Sequence, residues 1–146
     1  MVPKHRSDHQ GVPCGRKRRD SVLKHRAPHG DSPPLHVHLN EDEIFHILEG
    51  EMLFRVADRD VHAGTGNTLL APKGTPHTYR VDSAGGARWL TIMQGGDFEG
   101  FVRSCGRPAE RFGVPDPSGP PTPERVAALA AECIRHGIEL IGPPLH

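Results

Sequence analysis

His36 and His38 stand two residues apart, Glu43 follows five residues after His38, and His77 comes directly behind the loop Pro72-Lys73-Gly74-Thr75-Pro76. Imidazoles and carboxylates are donors for divalent transition metals. Three histidines and one glutamate would leave coordination positions open for water or a substrate. Taken alone, a His-x-His pair is a weak signal in a chain with 11 histidines. A lone inward histidine is more often a hydrogen-bonded core residue. The weight of the group depends on whether the surrounding sequence can bring four distant side chains to one point.

Strands would do so. Along residues 35–39 polar and apolar side chains alternate, which puts His36 and His38 on one face and Leu35, Val37 and Leu39 on the other. Residues 40–42 read as a turn, so the next strand, 43–48, folds back and carries Glu43 beside the histidines. Met52, Phe54 and Val56 alternate along a further strand, and short strand-like runs follow at 61–62, 68–71, 77–81 and 87–93. A weaker run at 21–27 allows one more. Glycine and proline punctuate these runs, as expected of a barrel or sandwich of many short strands.

The punctuation has a regular frame. Gly30, five residues, His36-x-His38, four residues, Glu43, six residues and Gly50 form one block. Gly66, five residues, Pro72-x-Gly74, two residues and His77 form a second, with Val81 at its final position. Each glycine or proline falls at an expected strand end, where special backbone angles are needed. The two blocks resemble the paired motifs of the cupin superfamily, and Val81 replaces the asparagine usual there. The resemblance covers about residues 21–95 and implies an all-β fold: a double-stranded β-helix, or jelly-roll barrel, with metal inside its mouth. By matching positions it implies that His36, His38, Glu43 and His77 are the ligands. Iron(II) is the preferred ion, with manganese, nickel, copper or zinc as alternatives.

After the barrel the pattern changes. Residues 96–121 read as an irregular or short-helical segment followed by a proline-rich linker. Residues 122–146 read as a helix and tail: Thr122 is the N-cap, Pro123 the first helical position, and Val126, Leu129, Ala130, Cys133 and Ile134 recur at helical spacing. This helix is expected on the outside of the barrel, with Ile138, Leu140 and Ile141 as a final apolar anchor. Among other side chains, Phe45, Ile47, Met52, Phe54, Leu70, Tyr79 and Trp89 are read as barrel filling or pocket lining. Arg55 and Arg80 are read as surface residues or contacts for an anionic substrate, and His46 and His62 as bystanders.

Charge is distributed unevenly. Residues 1–29 hold eight Lys and Arg against two Asp and Glu, and the remainder holds ten against sixteen. The basic start, 1–20, reads as a solvated, disordered tail. Residues 1–29 are too few and too rich in breakers for a helix-turn-helix, so nucleic acid is not an expected partner. The three cysteines are widely spaced and form no CxxC pair, which argues against a disulfide framework or a thiolate zinc site. No apolar run has the length of a membrane span, and no secretory leader is evident, so a cytoplasmic location is expected.

The resemblance extends to quercetinase-like dioxygenases. It implies a metal-dependent, dioxygenase-like oxidoreductase acting on a small enol or hydroxylated aromatic molecule, with Glu43 as catalytic base. A homodimer and a small-molecule substrate are the expected partners. The alternatives are a non-catalytic metal- and ligand-binding module, and an isomerase or epimerase that moves a proton without O₂.

Overall fold

The computed structural model describes residues 19–109, 113 and 120–146. The tail expected over 1–20 therefore lies outside the described residues except for its last two, and so does most of the proline-rich linker. The described chain forms β1 (Ser21–Ala27), β2 (Leu35–His38), β3 (Glu41–Glu49), β4 (Glu51–Val56), β5 (Arg59–Gly64), β6 (Thr68–Ala71), β7 (His77–Val81), β8 (Ala87–Gly95), α1 (Phe98–Cys105), α2 (Pro123–Arg135) and β9 (Ile138–Gly142). Two antiparallel sheets result, ordered β1-β8-β3-β6 and β5-β4-β7-β2-β9. They face each other as a jelly roll.

The core between the sheets is built by period-two alternation. Phe45 and Ile47 from β3, Met52 and Phe54 from β4, Val81 from β7 and Trp89 from β8 are all buried. Val81, at the position where the motif usually carries asparagine, pairs with Met52 and packs as an apolar core residue. Leu70 departs from the expectation of an inward residue. Ala71 pairs with Glu43 and Leu69 with Phe45, so Leu70 points the other way and is 51% exposed. Alternation makes Leu69 and Leu70 exclusive choices, and the pairing selects Leu69.

Backbone geometry explains Gly50. It sits at φ +90°, and a Cβ there would lie 2.6 Å from the carbonyl oxygen of Gly86. The strand β3 can therefore turn into β4 only through a residue without a side chain. The Pro72 loop is tied to the histidine strand by Gly74 N–H donating to the His38 carbonyl at 2.9 Å.

The C-terminal segment differs from a simple anchor. Ile138–Gly142 is a strand, β9, antiparallel to β2, so it joins the sheet that carries the histidines. Helix α2 begins with Thr122 accepting from Arg125 N–H. Of its apolar positions Cys133 is buried, whereas Val126 and Ile134 are exposed. The helix thus touches the barrel along a narrow strip instead of its whole apolar stripe.

Candidate metal centre

β2 presents His36 and His38 inward, and antiparallel pairing of His36 with His77 brings β7 alongside. Glu43 arrives from β3 in the facing sheet. One donor atom from each of the four lies within 4.8 Å of all the others. The histidine rings are 4.5–5.4 Å apart by centroid. The structure thus gathers all four residues singled out in the sequence. His46 and His62 are not among them: His46 bonds to Thr68 on the other face of its strand, and His62 is exposed.

Each imidazole is tethered through Nδ1. His36 Nδ1 donates to the Pro34 carbonyl at 2.7 Å, His77 Nδ1 to the Thr75 carbonyl at 2.9 Å, and His38 Nδ1 to Glu41 Oε1 at 3.0 Å. All three rings are thereby fixed in orientation with Nε2 left for the centre. This is how metal-ligating histidines are held. The Nε2 atoms of His38 and His77 lie 3.2 and 2.9 Å from Glu43 Oε2. Donor type, donor number and tethering all fit a divalent transition metal.

Electrostatics follow from burial and these contacts. Burial, helped by neighbouring His77, pushes the His36 pKa down to about 4. Burial also opposes charge on His38, but its hydrogen bonds to Glu41 and Glu43 outweigh this and carry it up to about 9. Burial would raise Glu43, yet the bonds from His38 and His77 hold it well below the usual carboxylate range. Glu43 is therefore held as a carboxylate between His38 and His77, and His38 is favoured in its protonated form by Glu41 and Glu43.

His36, His38 and Glu43 line a cavity of about 150 Å³, walled also by Phe45, Tyr79, Trp89, Phe98, Phe101 and Leu129 among others. Phe98 and Phe101 come from α1, and Leu129 from α2, so the two helices roof the opening. Among the described residues no Lys or Arg lines it. Arg55 and Arg80 instead pair with Asp60 and Asp82 at the surface. A larger groove of about 860 Å³ lies elsewhere, lined by mixed charges including Lys73, Asp97 and Arg135; none of the four residues faces it.

Two residues at this site escape the sequence reading. Glu41 falls in the expected turn, but it opens β3 and is 1% exposed. Besides holding His38, its Oε2 accepts from Phe98 N–H at 3.3 Å. The available signal is its place two residues before Glu43, on the same strand face. The second is His25, whose ring stacks on Trp89 at 5.2 Å and 7°. It belongs to the weakly patterned run 21–27.

Comparison with known proteins agrees with this architecture. Residues 23–93 match the cupin domain model. Quercetin 2,3-dioxygenase of Bacillus subtilis (strain 168) is 33% identical over 89 residues, covering 61% of this chain. The chain spans only 26% of that relative's length. A solved protein from Thermus thermophilus is 28% identical with a TM-score of 0.51, over 57% of this chain and 80% of that one. An RmlC-like cupin from Shewanella frigidimarina shares the fold, with a TM-score of 0.50 at 15% identity, over 56% of this chain and 71% of that one.

Proposed function

Residues 23–93 of this chain form a cupin domain, and from that premise we propose that it is a metal-dependent, dioxygenase-like oxidoreductase acting on a small enol or hydroxylated aromatic substrate. The observation that carries this is the convergence of three tethered imidazoles and one carboxylate, of which His36, His38 and Glu43 line an apolar cavity. The 33% identity to a quercetin 2,3-dioxygenase supports the reaction class.

His36, His38, Glu43 and His77 would hold the ion, with iron(II) preferred and manganese, nickel, copper or zinc as alternatives. Bound there, the metal supplies Lewis acidity and a meeting point for substrate oxygen and O₂. The protein's own contribution is positional. The Nδ1 tethers fix the ring planes before substrate arrives. Phe98 and Phe101 keep water from the reacting atoms. Glu43 faces the cavity and, on loosening its hold on the ion, would take the substrate's hydroxyl proton.

A homodimer belongs to the same proposal. β1 is the edge of its sheet and carries Val22, 65% exposed; edge strands are ready templates for pairing.

The test has two parts. Purified protein should contain a stoichiometric transition metal that is lost from the His36→Ala/His38→Ala variant. Small enols and hydroxylated aromatics should then be screened by oxygen electrode for substrate-dependent O₂ consumption. Equal metal in both proteins sinks the site. Turnover without O₂ consumption replaces the dioxygenase with an isomerase.

A further inference from the structure

Among the described residues, three buried side-chain polar atoms lack a hydrogen-bond partner: His25 Nε2, Trp89 Nε1 and Arg88 Nε. Arg88 stands on the outer face of β8, alternating with inward Ala87 and Trp89, and its guanidinium reaches Glu49 at 3.0 Å. The other two are cross-strand partners, paired in register between β1 and β8. Their rings stack on the inward face, and both line the cavity beside the four candidate ligands. A buried polar atom without a partner destabilises a fold, so two in contact within one cavity call for an explanation.

We infer that His25 and Trp89 form a recognition subsite for a hydroxyl group at the end of the substrate away from the metal ligands. This rests on the cavity being the substrate site. Trp89 Nε1–H can only donate, so the ligand must offer an acceptor there. His25 stacks on that indole, and burial keeps it on the neutral side by lowering its pKa. A neutral imidazole nitrogen can complement a hydroxyl's proton. One hydroxyl satisfies both rings by accepting from Trp89 and donating to His25. A carboxylate fits poorly, because no Lys or Arg among the described residues lines the cavity and Glu43 does.

Volume narrows the class further. A cavity of about 150 Å³ holds roughly one benzene-sized ring. A three-ring flavonol such as quercetin could place only one of its rings inside it. The part of the ligand inside the cavity is therefore one uncharged ring with one oxygen toward the ligand residues and a hydroxyl toward His25 and Trp89.

Two isosteric pairs test this. Hydroquinone and p-cresol differ only by a hydroxyl in place of a methyl, and resorcinol and m-cresol repeat the comparison at the neighbouring ring position. Binding of all four to the metal-loaded full chain, without O₂, is read from the emission of Trp89, the single tryptophan. At least one diol should bind about tenfold more tightly than its cresol. His25→Phe preserves an aromatic stack, removes the ring nitrogens and should narrow that gap to the share that Trp89 alone supplies. If His25→Phe does not fold, the diol–cresol gap in the unsubstituted chain decides. Equal binding within both pairs, no binding of any probe, or a gap undiminished in His25→Phe overturns the subsite. Failure of the dioxygenase reading shows separately, as a preserved gap with no O₂ consumption.

Discussion

Glu41 Oε1 accepts the Nδ1 proton of His38 at 3.0 Å, with both side chains almost shut off from water. The other two imidazoles lean on main-chain carbonyls, so His38 alone depends on a side chain for its orientation. Glu41→Ala should lower metal affinity roughly 10–100-fold, the usual loss for an outer partner of a ligating histidine. Glu41→Gln, which keeps an acceptor, should recover part of it. Chelator competition on both variants measures the effect; unchanged affinity in Glu41→Ala would show that His38 needs no such support.

Metal uptake should release protons. His38, raised to about 9, must give up its Nε2 proton to ligate, whereas His36, lowered to about 4, has none to give above roughly pH 5. His38 should contribute one proton per ion between about pH 5 and 8, and affinity should rise with pH across that window. Calorimetry in buffers of different ionisation enthalpy counts the protons, and a count of zero contradicts the His38–Glu43 pairing.

The same two histidines predict a stability optimum for the metal-free protein. The folded-state pKa of His38 lies above its ordinary 6.5, so its contribution is present below about pH 6.5 and lost as pH rises toward 9. His36 has the opposite sign, and its contribution is lost as pH falls from 6.5 toward 4. Thermal unfolding of chelated protein should show a maximum near pH 6.5, flattened when metal is restored. A midpoint that climbs steadily from about pH 5 to 9 is the contrary result.

Packing gives a paired test of register. Phe54→Ala empties a buried position and should cost about 3–5 kcal/mol, against less than about 0.5 kcal/mol for Leu70→Ala. Denaturant unfolding of the two variants decides; similar losses would mean that β6 presents its other face.

The dimer proposal is checked by sedimentation. Val22→Lys places a charge on the exposed edge strand, where it should oppose pairing and yield a monomer of intact fold. A dimer that survives the change uses another surface.

The candidate group of four is legible in the sequence because its members fall at matching positions of the two motif blocks, whose strand period and breakers are local. His36 and His38 share a face by spacing alone, and Gly50 and Gly74 mark bends that backbone geometry demands. Glu41 is not legible. In the polar run 40–43 a turn and a strand start look alike, and only the tertiary contacts with His38 and Phe98 show that residue 41 is inside. His25 is hidden for a related reason: its run, 21–27, alternates weakly, and its partner Trp89 is distant in sequence. Ile138, Leu140 and Ile141 are recognisable as apolar, but their pairing with β2 depends on a long connection whose path no local pattern encodes.

The roof over the cavity and the floor beneath it come from different parts of the chain. All four candidate ligands lie within residues 23–93, whereas Phe98, Phe101, Leu129, Cys133, Ile138 and Leu140 lie beyond it. Inheritance can therefore treat them separately. Substitutions at the side chains of Phe101 and Leu129 can reshape what enters the cavity while the imidazoles keep their tethers, so selectivity can drift apart from the candidate ligand set.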